Sequence, residues 1–124
     1  MKPIRPLKAG RFVACYTKAA QPDFKGTLKG GRSVVFEAKH TSADRIEQKR
    51  VTAEQTEALN RHHALGAACF VLVSFRLTHF YRVPWAVWRS MPEHFGKKSA
   101  TPVDLAPYRV EILRFLKGVE DETG

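Results

Sequence analysis

Acidic residues are what this sequence is short of. Only 12 Asp and Glu stand against 21 Lys and Arg, for a formal net charge of +9. The stretch before Asp23 carries Lys2, Arg5, Lys8, Arg11 and Lys18 without one carboxylate. Such an excess favours a polyanion partner, nucleic acid first and an acidic membrane surface second. Long apolar runs are missing as well. The longest, ALGAACFVLVSF at 64–75, falls far below the ~20 residues a bilayer-spanning helix needs. The opening Met1–Lys8 is basic and proline-broken, unlike the apolar core of a signal peptide. Cysteine is scarce: Cys15 and Cys69 lie in apolar runs without CxxC spacing, and read as reduced, buried thiols. These absences together lead us to expect a cytoplasmic protein with no membrane partner.

What is present suits a packed domain. A chain of 124 residues, 44% hydrophobic, can bury a core without staples. No repeat or low-complexity tract divides it. Residues 1–124 are therefore expected to form one domain, with residues 1–9 as a loose basic arm. GRFVACYT at 10–17 has strand composition. KGTLKGGRS at 25–33 has the glycines of a turn, and SVVFEAK then reads as a strand. Period 2 places Val34, Phe36 and Ala38 on one face and Val35, Glu37 and Lys39 on the other. The polar run 40–50 reads as a loop. Thr52 with Gln55 three residues on is a capping-box signature for a helix ending near Gly66. ACFVLVSF at 68–75 reads as a central strand covered on both faces, with THFYRV at 78–83 as its hairpin partner. Pro84 opens a short helix, FGKKSATP is a basic loop, and Thr101-Pro102 is a second cap. A last helix is expected over about 108–117, with Val110, Leu113 and Leu116 on one side. Strands and helices in this order give an α/β or α+β fold, a mixed central sheet flanked by helices.

One short stretch raises a chemical question. Asp23, then a glycine-containing hairpin, then Glu37-Ala38-Lys39 puts two carboxylates and a lysine within reach of one another. Hard oxygen ligands of this kind suit Mg²⁺. A lysine beside them can orient water or offset charge on phosphate oxygens. The spacing equally describes a solvated strand edge with a Glu–Lys pair, and both readings stand on the pattern alone. His62 and His63 are adjacent, about 100° apart on a helix, so they do not share a metal easily. His40 reads as a loop residue. Trp85 and Trp88 read as core or dimer contact before a base-stacking platform.

The stretches PDFKGTLKGGRSVVFEAKHT, TAEQTEALNRHHALGAACFVLVSF and FYRVPWAVW…FGKKSA together resemble Holliday junction resolvases of the RecU type, within the PD-(D/E)xK nuclease superfamily. The resemblance covers about residues 11–117 and implies a restriction-endonuclease-like fold. It implies that Asp23 and Glu37 are metal ligands, helped by the Ala38 carbonyl, with Lys39 the catalytic lysine and Gln55 the helix residue that buttresses the site. It implies Mg²⁺ as cofactor, with Mn²⁺ as substitute, branched or four-way junction DNA as partner, and a homodimer. The chain departs from the family pattern in having no acidic residue before Asp23 and little of the stalk segment before Gly10, which implies a shortened member. From the charge distribution, Arg11, Lys25, Lys29, Arg32, Arg45, Lys49, Arg50, Lys97 and Lys98 are the candidate DNA contacts. The alternatives are another nuclease of the superfamily, for nicking or repair, or a basic DNA-binding protein that keeps the fold without catalysis.

Overall fold

Alternation decides the middle of the sheet. SVVFEAKHT forms strand β2, Ser33–Thr41, in the computed structural model, which describes residues 22–119. The expected arm at 1–9 and strand at 10–17, with Cys15, lie outside the described residues. Strand β1, Phe24–Thr27, runs antiparallel to β2. The turn between them is shorter than the 25–33 that composition suggests. The reason is local. Gly30 and Gly31 sit at φ +98° and +100°, where a Cβ is disfavoured, and the Leu28 N–H reaches the Arg32 carbonyl at 2.7 Å. The chain therefore reverses within the segment 28–32 and frees Phe24–Thr27 to pair.

Strand β4, Ala68–Phe75, is parallel to β2, and β5, His79–Pro84, is antiparallel to β4. Every residue of β4 is buried, as its unbroken apolar composition requires for a strand covered on both faces. Registered phenylalanines pin one face. Phe24, Phe36 and Phe70 pair across three strands and stack at 4.8 and 4.6 Å, with Phe115 edge-on to Phe36 at 5.4 Å. The opposite face carries Val35, Cys69, Val71, Val73 and Val83 into the larger core.

Helix α1, Ala53–Ala64, connects β2 to β4 and covers that face. Its sequence holds no Gly, Pro or β-branched run that would break it. Thr52 Oγ1 accepts from the Gln55 N–H while the Gln55 side chain accepts from the Thr52 N–H, a full capping box. Gly66 at φ +97° ends it, as expected. Thr52→Ala should cost about 1 kcal/mol through loss of the cap. The check is a lower urea midpoint with an unchanged slope.

After β5, helix α2, Trp85–Arg89, follows Pro84 as the sequence indicates, and α3, Met91–Phe95, follows it. Trp85 and Trp88 are each 1% exposed, so they are core and not a stacking platform. Three expectations are corrected. The run 40–50 is no loop: β2 continues to Thr41, and Ile46–Glu47 forms strand β3 before a 3₁₀ turn at Gln48–Arg50. Ile46, buried in a polar run, pins the segment. FGKKSATP contains β6, Ser99–Ala100, which pairs with β3 as a two-stranded ribbon. The helix at 108–117 does not form. There, Arg109–Val110 adds strand β7 to the edge of β5, followed by a 3₁₀ turn at Ile112–Arg114. Ladder bonds on an open edge outweigh a short helix whose apolar stripe has little to pack on. Leu113 is in fact 94% exposed. The Thr101 cap exists, exchanging bonds with Asp104, but supports a turn only. The main sheet has the order β1-β2-β4-β5-β7 with only β2 and β4 parallel, the mixed sheet flanked by helices that the sequence suggests.

Candidate active site

The hairpin returns Asp23 to Glu37. Asp23 sits one residue before β1, and the Phe24–Phe36 register brings it level with Glu37. Its N–H points to Glu37 Oε2 at 3.3 Å, and its Oδ2 accepts the Ala38 N–H at 3.1 Å. A strand residue's N–H and C=O point to the same edge, so the Ala38 carbonyl faces the Asp23 side too. Two carboxylates and a carbonyl therefore converge at one sheet edge.

Glu37 is completely buried. Its Oε1 is the buried side-chain polar atom without a hydrogen-bond partner among the described residues. Burial raises its pKa to about 7, reinforced by the hydrogen bond and the charge of the Asp23 carboxyl, and opposed by the Asp23 N–H and by Lys39. A buried carboxylate is retained against that cost when a cation is its partner. The donor set, all hard oxygen, and the orphaned Oε1 fit a divalent ion of the Mg²⁺ or Mn²⁺ type.

Lys39 leaves β2 on the same side as Glu37, and its Nζ donates to Gln55 Oε1 at 3.0 Å. That same oxygen completes the α1 capping box. One glutamine thus fixes both the helix start and the lysine. Arg50 extends the tie: its Nη2 donates to the His40 carbonyl at 2.8 Å, holding the 3₁₀ turn against the end of β2. His40 itself is exposed, and among the described residues no group of three His, Cys, Asp or Glu could hold a metal. The cluster is thus two carboxylates plus backbone, and His62 and His63 take no part.

The family model for Recombination protein U, RecU, matches residues 3–117. The chain belongs to the RecU family. The resemblance drawn from residues 11–117 is borne out and extends further toward the start. Membership of this resolvase family makes the chain a nuclease acting in recombination. The fold agrees. Hjc, a Holliday junction resolvase from the archaeal hyperthermophile Archaeoglobus fulgidus, superposes with a TM-score of 0.53 at 17% identity, over 82% of this chain and 78% of that one. No curated protein matches.

The remaining candidate residues of this RecU chain divide by what already holds them. Lys25 lies on exposed β1 and Lys29 in the exposed turn, while Arg32 Nε is tied to the Gly66 carbonyl at 3.1 Å. Arg45 leans on Ser99 Oγ at 3.4 Å. Lys49 pairs with Glu47 at 3.3 Å in the open, a contact of little energetic weight. Lys97 is engaged by Asp104 at 3.0 Å and braces the 101–104 turn. Lys98 is exposed, and Arg11 lies outside the described residues. Cys69 is a buried free thiol whose pKa burial pushes up to about 11, so it is chemically quiet. No described helix is long and apolar enough to cross a membrane. Sequence reasoning missed the Ala38 N–H that anchors Asp23 and the Arg50 brace. Neither has a pattern, because one is backbone and the other pairs residues ten apart across a turn.

Proposed function

We propose that this RecU-family chain is a divalent-metal-dependent endodeoxyribonuclease that hydrolyses phosphodiester bonds in four-way junctions or related branched DNA. The observation that carries the reading is the buried Glu37 carboxylate, its Oε1 unpartnered, beside Asp23, with Lys39 held two residues on by Gln55. Asp23, Glu37 and the Ala38 carbonyl would hold the ion. When bound there, the ion would supply Lewis-acid charge for the phosphate and the attacking water. Asp23 is kept in place by the Ala38 N–H. Lys39 keeps one donor on Gln55 and presents the others to the phosphate oxygens, where negative charge grows as water attacks. Gln55 limits the rotamers of Lys39, so the ammonium is in position before the reaction begins. Paired cuts across a four-way junction need two such sites, which supports a homodimer.

The test is incubation of four-way junction, flap and linear duplex DNAs with Mg²⁺, Mn²⁺ or EDTA, with products resolved at nucleotide level. Cleavage that needs the metal and favours the junction is expected. A mobility shift equal in Mg²⁺ and EDTA, with all DNAs intact, would make the protein a non-catalytic DNA binder. Preference for nicked or linear duplex would move it to another branch of the superfamily.

A further inference from the structure

A second feature lies beside the first turn of α1, lined by residues other than the carboxylate cluster. Between the β3–β6 ribbon, α2 and the first turn of α1 runs a cleft of about 730 Å³. Arg45, Lys49, Arg89 and Lys98 line it, with Glu47 the one acid among the lining residues. Trp85 and Trp88 form part of its floor. The cleft arises from tertiary contacts. Gln48 Nε2 donates to the Trp88 and Arg89 carbonyls at 3.1 Å, and Trp88 Nε1 returns a bond to the Gln48 carbonyl. These bonds lock the ribbon side to α2.

Two charges in this cleft, Arg89 and Arg45, are held by neutral partners and so are aimed without being neutralised. Arg89 Nη1 donates to Asn60 Oδ1 at 2.9 Å, and the same oxygen accepts from Trp85 Nε1 at 2.8 Å. Arg45 rests on the Ser99 hydroxyl. Amide and hydroxyl partners restrict a guanidinium yet leave its full charge for an anion. Of these four cations, only Lys49 has a carboxylate partner among the described residues, and that pair is exposed. The positive end of the 12-residue α1 adds to the field. Gln55 faces Lys39 while Ala53 and Thr56 line the cleft, so the first turn of α1 presents different sides to the two features.

We propose that this cleft binds the DNA backbone at phosphates flanking the scissile one, with Arg89 and Lys98 as its principal contacts. Arg89 is not among the residues the sequence points to. The proposal rests on the DNA reading above and adds where a second stretch of strand is held. Four cations against one acid complement a phosphodiester chain.

The test uses full-length protein carrying Glu37→Gln, so that binding is measured without cleavage, on junction DNAs each bearing one neutral methylphosphonate near the cut position. The Glu37→Gln protein should lose affinity when certain flanking phosphates are neutralised. Adding Arg89→Ala with Lys98→Ala should erase that sensitivity and flatten the log affinity–log salt slope on duplex by up to about 1.8. Asn60→Asp keeps the acceptor for Trp85 and Arg89 but places a carboxylate on the guanidinium, and should flatten the slope by up to about 0.9. It guards against misfolding of the double variant. Inorganic phosphate at matched ionic strength should not remove the Arg89-dependent sensitivity; if it does, the cleft is a free-anion site and the proposal fails. An unchanged methylphosphonate pattern and slope in both variants would also overturn it, while binding in the Glu37→Gln parent kept the DNA reading intact. Absence of DNA binding in that parent would instead sink the reading itself.

Discussion

Glu37→Gln is expected to lower metal-dependent cleavage by roughly 10³-fold or more, the scale on which removal of a preorganised charge-stabilising group acts. The side chain keeps its shape and loses the charge that would hold the ion. DNA affinity should stay level or rise slightly, because one negative charge leaves a phosphate site. Stability moves the other way. The Glu37 carboxyl has an ordinary value of 4.5 and is raised to about 7 in the fold. Between those values the folded state holds a proton that the unfolded chain has released. Its contribution is therefore full below pH 4.5 and is lost as pH rises through 7. The loss is roughly 3 kcal/mol at most. The amide introduced by Glu37→Gln never ionises. At pH ~8 without metal the variant should melt higher than the wild type, and near pH 4.5 the gap should close. Mg²⁺ should raise the wild-type midpoint at pH ~8 and leave the variant's nearly unmoved. Loss of cleavage together with a lower melting point under those alkaline, metal-free conditions would mean a folding defect, and the site reading would lose its support.

Lys39→Ala is the second large effect. It should reduce cleavage by roughly 10²–10⁴-fold, with the metal-induced rise in melting temperature retained because both carboxylates remain. DNA binding should fall by no more than one phosphate contact, a change of about 0.9 in the salt slope on duplex. Gln55→Ala offers a graded comparison. It frees Lys39 from its tether and also removes half of the capping box, so both activity and stability should drop. Thr52→Ala weakens the cap but leaves the Lys39–Gln55 bond, and separates the two roles. If Lys39→Ala cut DNA at near the wild-type rate, the lysine would be a surface residue with an accidental partner.

The family was legible in the sequence by resemblance, and most of the central sheet by period and local chemistry. Alternation put Glu37 and Lys39 on one face of β2, an unbroken apolar run announced β4, and Thr52 with Gln55 marked the start of α1. Each of these signals is complete within a few neighbouring residues. The tertiary structure decided what depends on partners distant in the chain. Arg109–Val110 became an edge strand because β5 offered unpaired backbone, and Ile46 turned a polar run into structure by finding Ala100. Only the fold brought the Ala38 N–H to Asp23, left Glu37 Oε1 buried without a partner among the described residues, and gathered Arg45, Arg89 and Lys98 around one cleft. Side-chain period is a local property of the backbone, whereas burial and charge convergence are set by which segments pack together.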